Sequence, residues 1–210
     1  MHVPFFSVII CTYQRATLIP RALDSLLRQE ETDWEAIIVD DGSTDPTGRV
    51  VQKYTDADVR FRYFHREHCG VARSRNHGIS EAKGLFVTFL DSDDEFLDDH
   101  LSSRQQMLLA NPEVMLLHGG VEIIGDSMVR DRHDPTKWIH LEECVIGGTF
   151  VIRRDLFQRV GTFSEIEYGD DAEFFERVAS SGVSIARTDH PTYRYYRDTQ
   201  DALTRTYGTT

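Results

Sequence analysis

The chain has 210 residues, 40% of them hydrophobic and 28% charged, which is enough for one sizeable core, and no linker, repeat or low-complexity segment marks a second domain. Its formal net charge of −12 excludes non-specific binding to DNA, RNA or anionic lipid, which needs Lys and Arg clustered on one face, and leaves a phosphorylated small molecule reachable through a cation. Cys11, Cys69 and Cys144 form no C-x-x-C pair, Met1-His2-Val3-Pro4 has no signal-peptide pattern, and no run nears the ~18 apolar residues of a membrane span, so a reducing, cytoplasmic compartment is expected rather than a disulfide framework, a zinc site or a membrane helix.

Residues 5–11 are a continuous apolar run rich in β-branched and aromatic side chains, the pattern of a strand buried on both faces. Thr12-Tyr13-Gln14-Arg15 breaks it, and Leu18, Ile19, Ala22, Leu23, Leu26 and Leu27 then recur at helical spacing. Residues 35–39 form a second buried strand closed by Asp40-Asp41-Gly42-Ser43, and Asp45 is suited to cap a helix whose first residue is Pro46. A third strand over 59–65, a helix through Ile79 and Ala82, and a fourth strand over 85–90 complete an alternation that implies a mostly parallel sheet with right-handed crossovers. Leu97, Leu101 and Leu108 mark another helix, ended by Asn111-Pro112, and 114–118 is a further strand.

The second half is less regular. Residues 125–138 are polar and without period, which predicts a loop or flap. Residues 150–152 read as a strand, 155–160 as a short helix, 171–181 as a longer helix ending at Gly182, and 184–186 and 192–196 as two closing strands.

The fourth strand delivers Asp91-Ser92-Asp93-Asp94, carboxylates that repel one another unless solvent or a cation relieves them. Alone, the quartet reads first as a solvated turn capping the next helix and only second as a metal site. It is not an EF-hand, because Phe96 and Ser102 stand where Gly and Glu are required. Mg²⁺ or Mn²⁺, which take one or two carboxylates and complete their shell with water and phosphate oxygens, suit such a turn at a sheet edge. Asp40-Asp41 ends the second strand at the same edge, and a turn explains Gly42 and Ser43 without requiring both acids. An Asp there can accept a nucleobase N–H, Thr12-Tyr13 can supply a ring for it to stack on, and Arg15 can reach phosphates. A G-x-G-x-x-G after a strand and a P-loop are both absent, so phosphates fall to metal and side chains.

Together these fragments resemble glycosyltransferase family 2, inverting enzymes of GT-A fold that use nucleotide sugars. The resemblance rests on residues 6–15, 38–45, Gly70 with 74–79, 90–94, and Tyr168-Gly169-Asp170-Asp171-Ala172-Glu173-Phe174, in that order along most of the chain. It implies one GT-A domain over 1–210, with 1–118 binding the nucleotide sugar and 119–210 the acceptor and base. It implies that Thr12, Tyr13 and Asp41, with Asp40 beside them, hold the base; that Arg15 and Arg75 lie near ribose or diphosphate; and that Asp93, supported by Asp91 and Ser92, binds Mn²⁺ or Mg²⁺ in the DxD motif. Gly169-Asp170-Asp171 stands where the family has Glu-Asp, which makes Asp171 the catalytic base with Asp170 beside it. A UDP-sugar donor and a glycan or lipid-linked hydroxyl acceptor are the implied substrates, and Trp138, Gly147 and Gly148 are the acceptor candidates.

Cys11 and Gln14 stand where the family has Pro and Asn, and Thr199 takes the place of the histidine in its Tyr-Arg-x-His pattern, for which His190 is a possible substitute. No Gln-x-x-Arg-Trp follows, which argues against a processive synthase. A nucleotidyltransferase, which would show a Gly- and Lys/Arg-rich loop after the first strand, a glycoside hydrolase, which has no use for a base site, and a non-catalytic sugar-nucleotide or carbohydrate binding module on the same fold are the competing readings.

Overall fold

The centre of the molecule is β1 (Phe6–Thr12), whose side chains are buried alternately on the two faces of a sheet. The computed structural model describes residues 2–131, 134, 136–166 and 169–197. On one side β1 pairs in parallel with β2 (Trp34–Asp40), which pairs with β3 (Phe61–His65); on the other it pairs in parallel with β4 (Phe86–Phe89). The full order, β3-β2-β1-β4-β9-β6-β10-β5, adds β9 (Val151–Arg153), β6 (Val114–Ile124), β10 (Ser184–Tyr196) and β5 (Glu95–Phe96). β9 runs antiparallel to both β4 and β6, β10 is parallel to β6, and β5 is antiparallel to β10. The expected α/β architecture with a mostly parallel sheet is thus what the chain adopts.

Period-2 alternation divides the core between the two faces. Val8, Ile10 and Ile38 pack with Ile19, Leu23 and Leu26 of α1 (Ile19–Leu27) and with Leu101 of α4 (His100–Ala110). Ile9, Ile37 and Val39 pack with Ala72 and Ile79 of α3 (Val71–Glu81) and with Phe174 and Val178 of α6 (Asp170–Ser180). The remaining helices, α2 (Thr47–Ala57) and α5 (Leu156–Val160), cover β3 and β9. The Asp45 carboxylate accepts the Thr47 N–H at 3.0 Å and the Ala16 N–H at 3.1 Å, so it steadies the start of α2 and also ties in the β1–α1 loop.

Three expectations are corrected. The segment predicted as a loop or flap carries β7 (Met128–Arg130) and β8 (Trp138–His140), an antiparallel pair with Val129 opposite Ile139. The two closing strands are one, β10, with a shift in its pairing to β6 between Thr188 and Tyr193 that absorbs the polar residues between them. The strand predicted over 114–118 continues to Ile124, because β10 pairs along its whole length.

Candidate active site

The C-terminal ends of β2, β1 and β4 line up along one edge, and each apolar run stops there in polar residues: Asp40-Asp41, Thr12-Tyr13 and Asp91-Ser92-Asp93. With α3, the first turn of α6, the turn at Gly147–Thr149 and the β7–β8 hairpin, they enclose a cleft of about 1300 Å³. Of the residues singled out from sequence, Thr12, Tyr13, Arg15, Asp41, Arg75, Asp91, Ser92, Asp93, Gly147, Gly148, Asp170 and Asp171 line it.

Asp40 and Trp138 do not. Asp40 is fully buried, accepting the Tyr63 O–H at 2.6 Å and the Ser43 N–H at 2.8 Å, so it braces the strand end from inside and is not placed to meet a base. Trp138 is exposed on β8 beneath the Arg130 guanidinium, 4.0 Å from its ring centroid, while the hairpin's central pair, Val129 and Ile139, turns to the cleft. His190 is likewise elsewhere, with Nε2 2.6 Å from Asp99 Oδ2. Thr199 lies outside the described residues.

At the β1–β2 end, Asp41 accepts the Cys69 N–H at 2.8 Å and the Cys69 S–H at 3.2 Å on Oδ1 and the Gly70 N–H at 2.9 Å on Oδ2, while His68 Nδ1 bonds to its backbone oxygen at 3.0 Å and lies 2.8 Å from Oδ2. Burial alone would raise its pKa; the Cys69 and Gly70 donors outweigh it and hold the carboxyl below its ordinary value. The turn that follows it needs the φ of +88° at Gly42, where a Cβ would meet the His68 backbone at 2.9 Å. Gln14, whose change from Asn looks conservative in sequence, takes φ 54° and is held by its side chain: the Thr44 and Asp45 N–H groups donate to its Oε1 at 3.2 and 3.0 Å, and its Nε2 donates to Thr44 Oγ1 at 2.9 Å.

In the centre, Arg75 bridges two acidic turns. Its Nη1 donates to Asp170 Oδ2 at 2.6 Å and its Nη2 is 3.8 Å from Asp91 Oδ1. Enclosure first, then the neighbouring carboxylates Asp93, Asp171 and Asp170, push Asp91 up to about 6 against the pull of Arg75. Beside them Asp94 is wholly buried and accepts the Tyr193 O–H at 2.6 Å and the Tyr196 N–H at 2.8 Å, so it ties the turn to β10. Tyr193→Phe would leave that carboxylate short of a donor and is expected to lower stability by about 1–3 kcal/mol, read from urea unfolding.

At the β4–β9 side, Asp171 accepts the Gly147 N–H at 2.9 Å and the Ala172 N–H at 2.8 Å. The influences on its pKa are opposed and resolve upward. Burial raises its pKa most, Asp170 adds to that, and Arg75 with the two N–H groups only partly offsets them. The turn at Gly147–Gly148 must be glycine, because a Cβ would sit 2.7 Å from Asp171 Cβ at the first and 2.4 Å from the Tyr193 hydroxyl oxygen at the second.

The model of the family Glycosyl transferase family 2 matches residues 7–161, most of the chain. The chain belongs to glycosyl transferase family 2. It is 38% identical over 228 residues to the uncharacterized glycosyltransferase EpsJ of Bacillus subtilis, covering 96% of this chain and 63% of that one. It is 41% identical over 215 residues to the GalNAc(5)-diNAcBac-PP-undecaprenol beta-1,3-glucosyltransferase of Campylobacter jejuni, covering 96% and 67%. Staphylococcus aureus TarS in complex with UDP-GlcNAc superposes with a TM-score of 0.80 at 22% identity, over 96% of this chain and 61% of that one. The mannosyltransferase PcManGT of Pyrobaculum calidifontis, in complex with GDP-Man and Mn²⁺, gives 0.73 at 22%, over 92% and 57%. The fold is therefore the GT-A type of these transferases, and the chain spans about three fifths to two thirds of their lengths.

The family match ends before α6, so the α6 acids rest on geometry: the 2.6 Å bond from Arg75 brings Asp170, 95 positions away, to the matched part of the cleft. His68, which stacks on Tyr13, is a residue that sequence reasoning passed over, and Arg197, the arginine of the Tyr-Arg-x-His pattern, donates from Nη2 to Met128 O at 2.9 Å and pins the hairpin to the end of β10. Nothing in the local pattern signals either contact.

Proposed function

We propose that this glycosyltransferase domain moves one sugar from a nucleoside-diphosphate sugar to a hydroxyl acceptor with inversion at the anomeric carbon, using Asp171 as general base. What supports the reading is the order of groups along one cleft edge: a ring and a carboxylate at β1 and β2 (Tyr13, Asp41), two cleft-facing carboxylates after β4 (Asp91, Asp93), and an enclosed carboxylate of raised pKa beyond them (Asp171). The base stacks on Tyr13 and hydrogen-bonds to Asp41, with Thr12 beside it. Arg15 and Ser92 meet ribose and diphosphate, and Arg75 acts mainly by holding Asp91 and Asp170 in register. Asp171 takes the proton of the acceptor hydroxyl as its oxygen attacks the anomeric carbon and the bond to the diphosphate breaks. Residues 1–118 then form the donor half and 119–210 the acceptor half, in which Gly147 and Gly148 lie beside the base.

Asp91 and Asp93 suit Mg²⁺ or Mn²⁺, because they are hard oxygen donors on one turn and such ions complete their shells with phosphate oxygens and water. Among the described residues no three His, Cys, Asp or Glu side chains are grouped to hold a metal by themselves, which fits a site finished by the donor. When bound, the cation offsets charge on the departing diphosphate. UDP-sugars come first among donors because TarS is seen with UDP-GlcNAc, and GDP-mannose second because PcManGT is seen with it. The C. jejuni relative's name makes a diphosphate-lipid-linked saccharide the first acceptor to try. Such a reaction takes place on the cytoplasmic side, peripheral at the membrane when the acceptor is lipid-linked; no helix among the described residues is long and apolar enough to cross a membrane.

Thermal unfolding against a panel of nucleotide sugars, with Mn²⁺ and with EDTA, tests the reading. A true donor at about 100 times its Kd adds about 2.7 kcal/mol of apparent stability. Asp93→Ala is expected to lose the part that needs Mn²⁺ and retain the part due to the base. A panel in which no nucleotide sugar stabilises the protein, or an Asp93→Ala variant with full Mn²⁺-dependent stabilisation, rejects it.

A further inference from the structure

The Tyr13 ring is 43% exposed at the cleft, and what lies on it is the imidazole of His68: the ring centroids are 4.4 Å apart and the planes 28° from parallel. The same imidazole directs Nδ1 at Asp41, 2.8 Å from Oδ2 and 3.0 Å from the backbone oxygen. Both neighbours are acceptors, so Nδ1 carries the proton and donates. A flat nitrogen heterocycle that stacks on Tyr13 and sets a ring nitrogen 2.8 Å from the Asp41 carboxylate occupies the place proposed above for a nucleobase. We infer that His68 is an intramolecular stand-in for the base, and that a nucleotide must displace its ring to occupy the Tyr13–Asp41 end of the cleft. The inference rests on the base-site reading of those two residues.

The surroundings support displacement rather than co-occupancy. A carboxylate offers about four acceptor positions. Asp41 Oδ1 takes the Cys69 N–H and S–H and Oδ2 takes the Gly70 N–H, and the imidazole Nδ1, 2.8 Å from Oδ2, occupies the side that is left. The N–H groups belong to the loop backbone at Cys69 and Gly70 and are fixed, so an incoming base N–H gains access to Oδ2 when the imidazole leaves. His68 can leave cheaply: its side chain is 59% exposed and belongs to neither core cluster, so rotating it outward unpacks nothing. The exchange replaces one stack and one hydrogen bond by another of each kind. The base therefore adds little net affinity in the wild type, and selection among donors falls to the diphosphate and the sugar. His68 sets how strongly this protein reads the base.

Calorimetric binding of UDP, GDP and inorganic pyrophosphate in the presence of Mn²⁺ tests this. His68→Ala is expected to tighten whichever nucleotide the site takes by about three- to tenfold, the worth of a stacked pair no longer given up, and to leave pyrophosphate unchanged. His68→Phe, which keeps a ring over Tyr13, should gain less than threefold. Unchanged or weaker nucleotide binding in His68→Ala overturns the inference, because His68 would then be a bystander or a second wall for the base. Equal tightening of pyrophosphate also overturns it, since the loop rather than the stack would be responsible. Failure of the base-site reading has a different signature: in the His68→Ala background, adding Tyr13→Ala or Asp41→Asn would leave nucleotide binding untouched.

Discussion

Asp171→Asn is expected to reduce the transfer rate by about 10²–10⁴-fold, the usual contribution of a placed general base, while donor binding stays within about twofold of wild type. The substitution is nearly isosteric, and the amide oxygen can still accept from Gly147 or Ala172, so the turn at the base survives. What is lost is the ability to take a proton. Since burial raises the Asp171 pKa, the acid limb of kcat should lie above the ordinary carboxylate value of about 4 and vanish in the variant. Stability should move the opposite way. A carboxyl whose folded pKa exceeds its unfolded one favours the fold fully below the unfolded pKa and loses that contribution as pH rises through the folded pKa. Asp171→Asn should therefore equal or exceed wild type in urea midpoint at neutral pH and lose that advantage below about pH 4. Full transferase activity in the variant would remove Asp171 from the chemistry.

How far the sequence could be read depended on the scale of the interaction. The edge of the cleft was legible because each of its strands is a continuous apolar run that stops in polar residues, and runs of that kind must be buried on both faces. The same property hid the difference between Asp40 and Asp41. In a strand buried on both sides neither neighbour announces its direction, and only Tyr63 on the adjacent strand, bonded to Asp40 at 2.6 Å, reveals which acid turns inward. The hairpin was illegible because three-residue strands hold too few positions to display a period. The single strand β10 looked like two because its polar middle, where the pairing shifts, interrupts the alternation. At the site, acids and aromatic residues declared themselves by type, but His68 on Tyr13 and Arg75 on Asp170 are contacts across 55 and 95 positions that no local pattern encodes.

Arg75→Met is expected to be the most destabilising single change at the site, at about 3–5 kcal/mol, the range for removing one partner of a buried ion pair. Most of that penalty comes from Asp170, whose side chain is 10% exposed and whose bond to Arg75 is 2.6 Å; Asp91, 3.8 Å from the guanidinium, is beyond hydrogen-bond reach and adds less. The loss should shrink in acid, where protonation relieves the stranded carboxylates, so the wild-type and variant urea midpoints are expected to converge towards pH 4 or so. Arg75→Lys should recover only part, because an ammonium is a single point of charge and cannot span two acidic turns as a guanidinium does. Asp170→Asn in the Arg75→Met background should restore stability beyond the sum of the single changes, the coupling expected of groups in contact. Activity adds an independent readout. Arg75 lowers the Asp171 pKa, so its removal should move the acid limb of kcat to higher pH even in molecules that remain folded. A variant as stable as wild type with an unmoved acid limb would mean that Arg75 does not join the two halves of the cleft, and the geometry that brings the α6 acids to the turn at 91–93 would need another explanation.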